Sequence, residues 1–491
     1  MFIIKWLIVV VLIAVVLLPF LLYRRPQPAA GTNLKSPSYA FTKAELLIDW
    51  TRRISGHPEE LEHSIFDTML EQIEAAETFL ILDFFLWNPW RGAVCTEQSL
   101  RPLAEELVAA LLQKRKEHPQ MPILVLTDPI NKIYGRHRQL GFTRLEAAKI
   151  PVVYTDLSKL PDANRFYAPL ARFWGGLFSS WRLPIVPNPM DLQGEALTFA
   201  ELGRLLYLKA NHRKVLVSGL LEDTHLLIGS MNPANGSAGH SNLALLIDGA
   251  VGRYAALSEL EVAEWSASTE QKSLVSNCVR TIRGLLPDSA PVVAAGASVS
   301  WLSEGRIREE LLRELEHAIT GVQVDVALFY LSERRVIEAL KQAARRGASL
   351  RLLLDPNKDA FGRVKNGIPN RPVAAEFAAL SEDYRVEVRW AETRGEQFHC
   401  KALRILGPGR DSLFLGSANW TTRNIGNYNL EANVLLESAG PVGCQFDQFF
   451  ETIWTNQDGI QASLPYAVWA DESLWKRWFY RFQEWSGAST F

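Results

Sequence analysis

Two stretches of the chain carry the same basic and polar side chains at the same spacing. Each has a histidine, a lysine two residues later and a Gly-Ser-x-Asn tetrapeptide beyond it: His212, Lys214, Gly229, Ser230 and Asn232 in the first, and His399, Lys401, Gly416, Ser417 and Asn419 in the second. The histidine precedes the glycine by 17 positions in both, and an asparagine, Asn242 or Asn429, follows each glycine by 13. One such motif alone is usually an ordinary strand or turn, but the matched pair indicates a duplicated functional site.

The residues around each histidine are typical of a strand, a turn and a second strand. Side chains two apart on a strand point to one face, so each hairpin is predicted to offer its histidine, lysine, serine and asparagine to one spot. One imidazole can attack phosphorus while the other protonates the leaving oxygen. Lysine, asparagine and serine side chains can stabilise charge on the non-bridging oxygens. These residue types predict transfer at a phosphodiester, with no metal and no other cofactor.

The segments that must position these residues also occur twice. Met69–Trp87 and Leu311–Leu331 each have the pattern of an amphipathic helix leading into a hydrophobic strand. In both halves a further helix and a buried strand follow, and that strand ends in Asp-Pro, at Asp128 and at Asp355. Alternating helices and strands predict an α/β sandwich in each half. The expected organisation is a membrane anchor at 1–25, a linker at 26–45, a first half at 46–270, a connecting segment at 271–297 and a second half at 298–491.

The paired motifs resemble those of the phospholipase D superfamily, whose signature is a duplicated HxKx4D followed by GSxN. NHRKVLV and GSMN look like the bacterial cardiolipin synthases of that superfamily. The resemblance implies two α/β/α sandwich halves related by a pseudo-two-fold axis, with one active site at their interface. It also implies a ping-pong reaction through a covalent phosphohistidine. By residue, it implies His212 and His399 as nucleophile and general acid/base, with phosphate-binding and supporting roles for Lys214, Lys401, Asn232, Asn419, Ser230 and Ser417.

Two features depart from the family pattern. Gly219 and Leu406 stand where the motif aspartates are expected, and Asp223 and Asp411 lie later, in longer turns. Family members carry an acid after GSxN that orients a histidine, as in a catalytic triad.

Glu431, two residues after Asn429, matches that acid, and its first-half counterpart is expected to be Ala244. Asn242 and Asn429 are expected to contact the substrate. A carboxylate in the second half favours His399 as the nucleophile, whereas the family's usual assignment favours His212, so the two roles stay open.

The start of the chain is strongly apolar. Trp6 to Tyr23 reads WLIVVVLIAVVLLPFLLY, an uncharged run about as long as a bilayer-spanning helix needs. A cleaved signal peptide is the alternative, but the run is long and no clean A-x-A site follows it. We therefore predict a single-pass anchor in the cell membrane. Lys5 opposes Arg24 and Arg25, so the charge distribution gives only a slight preference for a cytoplasmic catalytic body.

Composition limits the choice of partner. The 52 basic and 54 acidic side chains leave a net charge of −2, which argues against a general nucleic-acid binder. The four cysteines lie far apart without metal-ligand spacing, and we interpret them as free, buried thiols: Cys95, Cys278, Cys400 and Cys444.

A tethered enzyme meets lipid head groups at high local concentration, which favours a phospholipid substrate. The leading hypothesis is phosphatidyl transfer, as in cardiolipin synthesis, or hydrolysis to phosphatidic acid. One alternative is an anchored nuclease or phosphodiesterase acting on single-stranded nucleic acid, which needs a basic, aromatic-lined groove. A second alternative is an inactive lipid-binding scaffold, for which only the missing aspartates and Ala244 speak.

Two further segments bear on membrane contact. Arg165–Met190, in an insertion of the first half, is rich in aromatic residues and proline; a packing loop and a membrane-facing entrance are equally compatible with it. Glu472–Trp485 places apolar residues along one helical face: Leu474, Trp475, Trp478, Phe479, Phe482 and Trp485. That pattern is typical of an interfacial helix, although packing against the protein body is the commoner explanation.

Overall fold

A computed structural model of the chain describes residues 6, 15–90, 100–133, 138–164, 166–177, 183–186, 196–198, 201, 208–286, 296–360 and 363–489. The first half is built on an eight-stranded sheet in the order β3-β2-β9-β8-β7-β4-β5-β6. Its strands are β2 (Ala44–Arg52), β3 (Glu60–His63), β4 (Phe79–Phe84), β5 (Ile123–Thr127), β6 (Val152–Tyr154), β7 (Lys214–Gly219), β8 (Thr224–Gly229) and β9 (Asn242–Asp248).

The second half is built on a nine-stranded sheet in the order β1-β10-β18-β17-β16-β11-β12-β15-β19. Its strands are β1 (Tyr39–Ala40), β10 (Ser298–Ser303), β11 (Gln323–Leu328), β12 (Ser349–Leu354), β15 (Val386–Ala391), β16 (Lys401–Gly407), β17 (Arg410–Gly416), β18 (Ala432–Glu437) and β19 (Ser463–Pro465). The short pair β13 (Asp359–Ala360) and β14 (Arg363–Val364) lies apart from both sheets.

The two sheets repeat one topology. Seven strands of the first, β2-β9-β8-β7-β4-β5-β6, match seven of the second, β10-β18-β17-β16-β11-β12-β15. In each sheet three of these strands run parallel, β4-β5-β6 and β11-β12-β15, and the neighbouring pairs are antiparallel. The predicted α/β fold with two sheets is confirmed, and so are the two hairpins, β7-β8 and β16-β17.

Helices cover the outer face of each sheet and also fill the space between the sheets. Their bounds are α1 (Ser64–Ala75), α2 (Leu103–Glu117), α3 (Leu140–Ala147), α4 (Tyr167–Leu177), α5 (Ala250–Ser266), α6 (Lys272–Leu285), α7 (Gly305–Glu316), α8 (Arg334–Arg345), α9 (Asn370–Ala378), α10 (Thr422–Ile425), α11 (Gly440–Thr455) and α12 (Leu474–Ser486). Side chains alternate along a strand, so Leu80 and Leu82 of β4 pack outward among the buried residues of α1 and α2, while Phe79 and Ile81 face the second half.

The largest apolar core is shared by the two halves. It joins inward-facing residues of both hairpins with residues of α5 and α11: Val215, Ile228, Ala402, Leu415, Ala255 and Phe446 are examples. Because this core is continuous across both sheets, the functional ends of the two hairpins are held against each other by apolar burial.

Segments outside the predicted halves also pack on them. β1, in the predicted linker, pairs with β10 of the second half. α6, in the predicted connecting segment, buries Val275, Val279 and Ile282 in the shared core. Of the cysteines, Cys278 and Cys400 are buried free thiols as expected, whereas Cys444 is exposed, which corrects that prediction because it lies on the outer side of α11. Cys95 lies outside the described residues.

The start of the chain is helical at residues 15–22, with Leu17, Leu21 and Leu22 exposed. Residues 7–14 of the predicted span Trp6–Tyr23 lie outside the described residues. Within the described chain, no helix has the length and apolar character needed to cross a bilayer.

Candidate active site

Each histidine lies two residues before the strand that begins at its lysine, in a segment that pairs with the other half. The residue before His212 forms a parallel bridge to Leu430, and the His212 N–H donates to the Leu430 carbonyl at 2.9 Å. The second half repeats this: Phe398 bridges to Ser241, and the His399 N–H donates to the Ser241 carbonyl at 2.8 Å. Backbone pairing across the two halves therefore brings both imidazoles to one interface.

The side-chain partner of each imidazole also comes from the opposite half. His212 Nδ1 lies 2.8 Å from Oε1 of Glu431. His399 Nδ1 lies 3.1 Å from Oδ1 of Asn242. Since Nδ1 carries the shared proton in both contacts, Nε2 of each ring is left with its lone pair. The two histidines differ in their side-chain partner: a carboxylate orients His212, and a neutral amide orients His399.

Burial sets the protonation of this pair. It lowers the pKa of His212 to about 4, although the Glu431 carboxylate opposes that shift. Burial alone would raise the pKa of Glu431, but His212 and Lys214 hold it below its ordinary value. At neutral pH the pair is a neutral imidazole beside an ionised carboxylate, which is the arrangement of a poised nucleophile.

The first-half counterpart of Glu431 is Asn242, which corrects the expectation of Ala244. Ser230 Oγ donates to Asn242 Oδ1 at 3.0 Å, and Ser417 Oγ donates in the same way to the Glu431 carboxylate. Leu243 and Ala432, which follow Asn242 and Glu431, are also equivalent, because their carbonyls accept the N–H groups of Ser230 and Ser417. Glu431 follows Ser417 by two residues more than Asn242 follows Ser230. Counting equal numbers of residues from the two glycines therefore fails to match Glu431 with Asn242.

The same offset corrects the nucleophile argument. Glu431 was expected to orient His399, the histidine of its own half, but its carboxylate contacts His212 across the interface. The asymmetry between acid and amide therefore favours His212. Asn242 and Asn429, expected at the substrate, make protein contacts: Asn242 holds His399, and Asn429 accepts the Ala210 N–H at 3.0 Å.

The two lysines occupy equivalent, fully buried positions. Each Nζ donates to the carbonyl of the histidine two residues before it, at 2.6 Å for both Lys214 and Lys401. Each also lies over a phenylalanine ring, Phe85 at 5.3 Å and Phe329 at 5.2 Å. Burial lowers the pKa of Lys214 to about 7, and burial together with the charge of Lys214 holds that of Lys401 well below its ordinary value. An anion entering between them would be stabilised by both ammonium groups.

The Gly-Ser-x-Asn tetrapeptides close the site. A Cβ on Gly229 would lie 2.3 Å from the Leu243 carbonyl, and one on Gly416 would lie 2.3 Å from that of Ala432, so only glycine fits beside the neighbouring strand. Asn232 Oδ1 accepts the Leu86 N–H at 3.3 Å. Asn419 Oδ1 is buried and has no partner among the described protein groups, so its amide is available to a ligand.

Residues 311–454, which contain the second hairpin, match the family model described as "Cardiolipin synthase, PLD-like domain". This part of the chain is therefore similar to a phospholipase D-like domain. The histidines, lysines and asparagines of the duplicated site are of the types that suit transfer at a phosphodiester. A search of curated proteins finds no significant match.

One solved structure shares the fold of this chain over both halves. The crystal structure of phosphatidylserine synthase from Haemophilus influenzae Rd KW20 aligns with 91% of this chain and 94% of its own, with 10% identity and a TM-score of 0.54. Nuc from Salmonella typhimurium, a phospholipase D family member, aligns with 34% of this chain and 97% of its own, with 17% identity and a TM-score of 0.27. The first of these covers both halves and supports one two-sheet fold for the whole body.

Two aspartates of this phospholipase D-like site were seen in the sequence only as ends of buried strands. Asp128 accepts the Asn211 N–H at 2.6 Å, and Asp355 accepts the Phe398 N–H at 2.9 Å. Both therefore fix the residue immediately before a histidine. Burial raises the pKa of each carboxyl to about 7. The repeated Asp-Pro was the signal in the sequence, and its position one residue beyond a strand explains why it can reach the histidine segment.

A buried charge network lies behind His212 and has no equivalent behind His399. Arg213 donates to Glu304 at 2.7 Å and to Glu259 at 3.1 Å, and Asn211 Nδ2 donates to Asp83 at 2.7 Å. Glu304 also accepts the N–H of Glu431 at 3.1 Å, which links the network to the carboxylate beside His212. The matching second-half positions are apolar or nearly so: Ala327, Phe398 and Cys400.

His240 is a third histidine at this site that the sequence motifs did not indicate. Its ring centroid lies 6.1 Å from that of His399, and its Nδ1 accepts the Gln397 N–H at 3.2 Å. That bond places the ring proton on Nε2. His240 is the structural equivalent of Asn429, because each accepts the backbone N–H of the residue two positions before the catalytic-site histidine of the other half. Counting an equal number of residues from the two glycines would instead match Asn429 with Asn242.

The two positions that lack the motif aspartate lie at the far end of each hairpin, where packing excludes a side chain at Gly219 but leaves Leu406 exposed. A Cβ on Gly219 would lie 2.2 Å from Thr78 Oγ1, so the position excludes a side chain. In the second half Asp411, paired with Leu406, accepts from the buried Arg404 at 2.6 Å and from the Gly440 N–H at the start of α11 at 3.0 Å. This end lies five residues, about 16 Å of strand, from Lys401, so its role is structural.

Proposed function

We propose that the protein transfers or hydrolyses the phosphodiester of a phospholipid through a covalent intermediate on His212. The observation that carries the proposal is the unequal pairing of the two histidines, with the Glu431 carboxylate on His212 and the Asn242 amide on His399. The products are a transferred phosphatidyl group, as in cardiolipin synthesis, or phosphatidic acid.

In the first step, His212 Nε2 attacks phosphorus. Burial and the two lysine charges hold the pKa of His399 well below its ordinary value, and the bound phosphodiester anion offsets those charges and favours the protonated ring. The bond from phosphorus to the head-group alcohol breaks, and protonated His399 donates its proton to the leaving oxygen. Glu431 stabilises the positive charge that develops on the His212 ring. Lys214 and Lys401, with the amides of Asn232 and Asn419, bind the non-bridging oxygens.

In the second step, neutral His399 takes the proton of an acceptor hydroxyl. The acceptor oxygen bonds to phosphorus and the bond to His212 Nε2 breaks, which returns the enzyme to its starting state. Water as acceptor gives hydrolysis, and an alcohol gives transfer. His240 Nε2–H, 6.1 Å from His399 between ring centroids, is placed to donate to the acceptor or the leaving group.

The phospholipid substrate is supported by the matched family description and by the apolar start of the chain, which we propose to be a single-pass membrane anchor at Trp6–Tyr23. Single-stranded nucleic acid is the alternative substrate. Its turnover would fall steeply with salt, because phosphate contacts release counterions. Within the described residues, no group of His, Cys, Asp and Glu side chains is placed to hold a metal ion.

The test is mass spectrometry of lipids after incubation with phosphatidylglycerol and phosphatidylethanolamine in the presence of EDTA. Cardiolipin or phosphatidic acid formed by the parent, and lost in His212→Ala and His399→Ala, supports the proposal, and the product separates transferase from hydrolase. Activity on single-stranded DNA with no lipid turnover points to the nuclease. Lipid binding without turnover of either substrate points to the inactive scaffold.

A further inference from the structure

The aromatic face of α12 is turned away from the protein. Trp475, Trp478 and Trp485 are 59%, 66% and 64% exposed. Stacked and tilted rings join the face into one strip, with centroids 5.5 Å apart for Trp478 and Phe482 and 6.0 Å apart for Phe482 and Trp485. An exposed apolar strip of this size marks an interaction site.

The side of α12 that packs on the body is the polar one. Tyr480 is fully buried and donates to Glu376 at 2.8 Å, and Glu484 accepts the Thr422 N–H at 2.8 Å. Packing against the body therefore does not account for the aromatic residues. Because the helix is fixed through its polar side, the aromatic strip has a defined orientation.

The strip continues onto the place where the apolar start of the chain is fastened. Phe166 is exposed, and its ring lies 5.5 Å from that of Trp485. Four residues earlier, Asp162 accepts from the hydroxyl of Tyr23, the last residue of the apolar run, at 2.7 Å. Gly487, which ends α12, packs directly against Ala163. Segment 162–166 thus joins the end of the apolar run to the end of the aromatic helix.

We propose that the aromatic face of α12, extended by Phe166, docks on the surface of a phospholipid bilayer. Indole rings favour the boundary between head groups and acyl chains. Of the basic residues of the helix, Lys476 is paired with Asp471 and Arg481 with Glu376, so the aromatic rings rather than the charges carry the docking. Because the end of the apolar run 15–22 lies beside the end of α12, the run and the aromatic face can contact the same bilayer surface.

Docking through this face would place the candidate active site close to the bilayer surface, where a phospholipid substrate lies. Glu484 of α12 holds the first residue of α10, three residues after Asn419, and Arg25 lies 5.0 Å over the ring of Tyr428, three residues before Glu431. Only this consequence rests on the proposed function; the docking itself is a binding property of the surface.

The test uses the full chain with a fluorescent NBD label at Trp478→Cys in a Cys444→Ser background, mixed with phosphatidylglycerol vesicles that carry a quencher at the acyl chain. The matched control is the same label at Glu338→Cys, an exposed site on α8. The expected result is a blue-shifted, quenched label at 478 and an unquenched label at 338. Equal behaviour of the two labels overturns the proposal.

Two other occupants give distinct results, each of which also overturns the proposal. A label at 478 that is blue-shifted before vesicles are added shows that the apolar start of the chain covers the face. A concentration-dependent shift without lipid shows a second copy of the chain.

A second variant links docking to turnover. Trp475→Ser with Trp478→Ser and Trp485→Ser changes only exposed residues. We expect it to reduce activity on phospholipid vesicles at least about tenfold and to leave activity on a water-soluble short-chain phosphodiester unchanged. Quenching at 478 in a protein that turns over neither substrate would refute the proposed function and keep the docking surface.

Discussion

At the scale of residues, the site is nearly symmetric in composition and unequal in chemistry. Both halves contribute a histidine, a lysine and a Gly-Ser-x-Asn, and the equivalent pairs make equivalent backbone contacts. The difference lies in Glu431 against Asn242, and a carboxylate stabilises an imidazolium far better than an amide does. Two chemically unequal histidines are what a two-step transfer requires, because one must bond to phosphorus and the other must exchange a proton.

Substituting the side chain that contacts each histidine tests whether the two histidines differ in chemistry. Glu431→Gln keeps the shape of the side chain and removes its charge, and we expect kcat to fall about 100-fold or more. Asn242→Asp places a carboxylate at His399 and raises the pKa of that imidazole. His399 must be protonated in the first step, so the alkaline limb of kcat/KM against pH should move to higher pH. An unchanged kcat in Glu431→Gln would contradict the assigned role.

The lysines predict how anion binding depends on pH. The pKa of Lys214 is lowered to about 7 by burial, and a bound anion favours its charged form and raises that pKa. Binding therefore takes up a proton, and the affinity for sulfate, whose charge is constant over this range, should fall as pH rises above about 7. Titration calorimetry in buffers of different ionisation enthalpy measures the uptake. Lys214→Met should reduce this uptake without abolishing it, because the pKa of Lys401 is lowered as well. A pH-independent affinity in the parent would contradict the prediction.

At the scale of elements, the segment that leads into β7 is stabilised by buried charges, and the segment that leads into β16 is stabilised by apolar packing. Arg213 lies between Glu259 and Glu304 where the second half has Cys400. Although burial opposes its charge, those two carboxylates hold the pKa of Arg213 above its ordinary value. The network therefore stabilises the His212 segment only while Arg213, Glu259 and Glu304 are all present, because loss of one leaves a buried charge unpaired.

Removing the guanidinium leaves buried carboxylates without their partner. We expect Arg213→Met to lower the free energy of unfolding by about 3–5 kcal/mol. The matched control, Cys400→Ala at the equivalent position, should lower it by about 1 kcal/mol. Urea unfolding monitored by tryptophan fluorescence measures both, and equal losses would show that the network contributes no more than packing does.

The sequence predicted the elements better than it predicted the pairing between them. Alternating strands and paired motifs sufficed for both hairpins, and the family resemblance implied the shared interface of His212 and His399. The contact of Glu431 with His212 could not be predicted, because it depends on which half each residue faces after the sheets pack. Two additional residues in the second half also conceal the match of Asn242 with Glu431. The aromatic face of α12 is visible in the sequence, but only the structure shows that Tyr480 and Glu484 form its buried side.

At the scale of the whole molecule, the two halves are incomplete without each other. Each histidine takes its backbone partner and its side-chain partner from the opposite half, and one apolar core extends across both sheets. A half expressed alone would lack the orienting group for its histidine and would expose the apolar face of its sheet. The active site is therefore a property of the assembled pair, which also places the apolar start of the chain and α12 on one side of it.

The most direct test of the account is the site of the covalent intermediate. With phosphatidyl-p-nitrophenol the leaving group departs without a general acid, so His399→Ala should release one p-nitrophenolate per enzyme in a burst and then stall. Alkaline quenching and peptide mass spectrometry should find the phosphatidyl group on the peptide that contains His212, and His212→Ala should show no burst. A phosphatidyl group on His399, or a burst that survives in His212→Ala, would contradict the assignment of His212 as nucleophile.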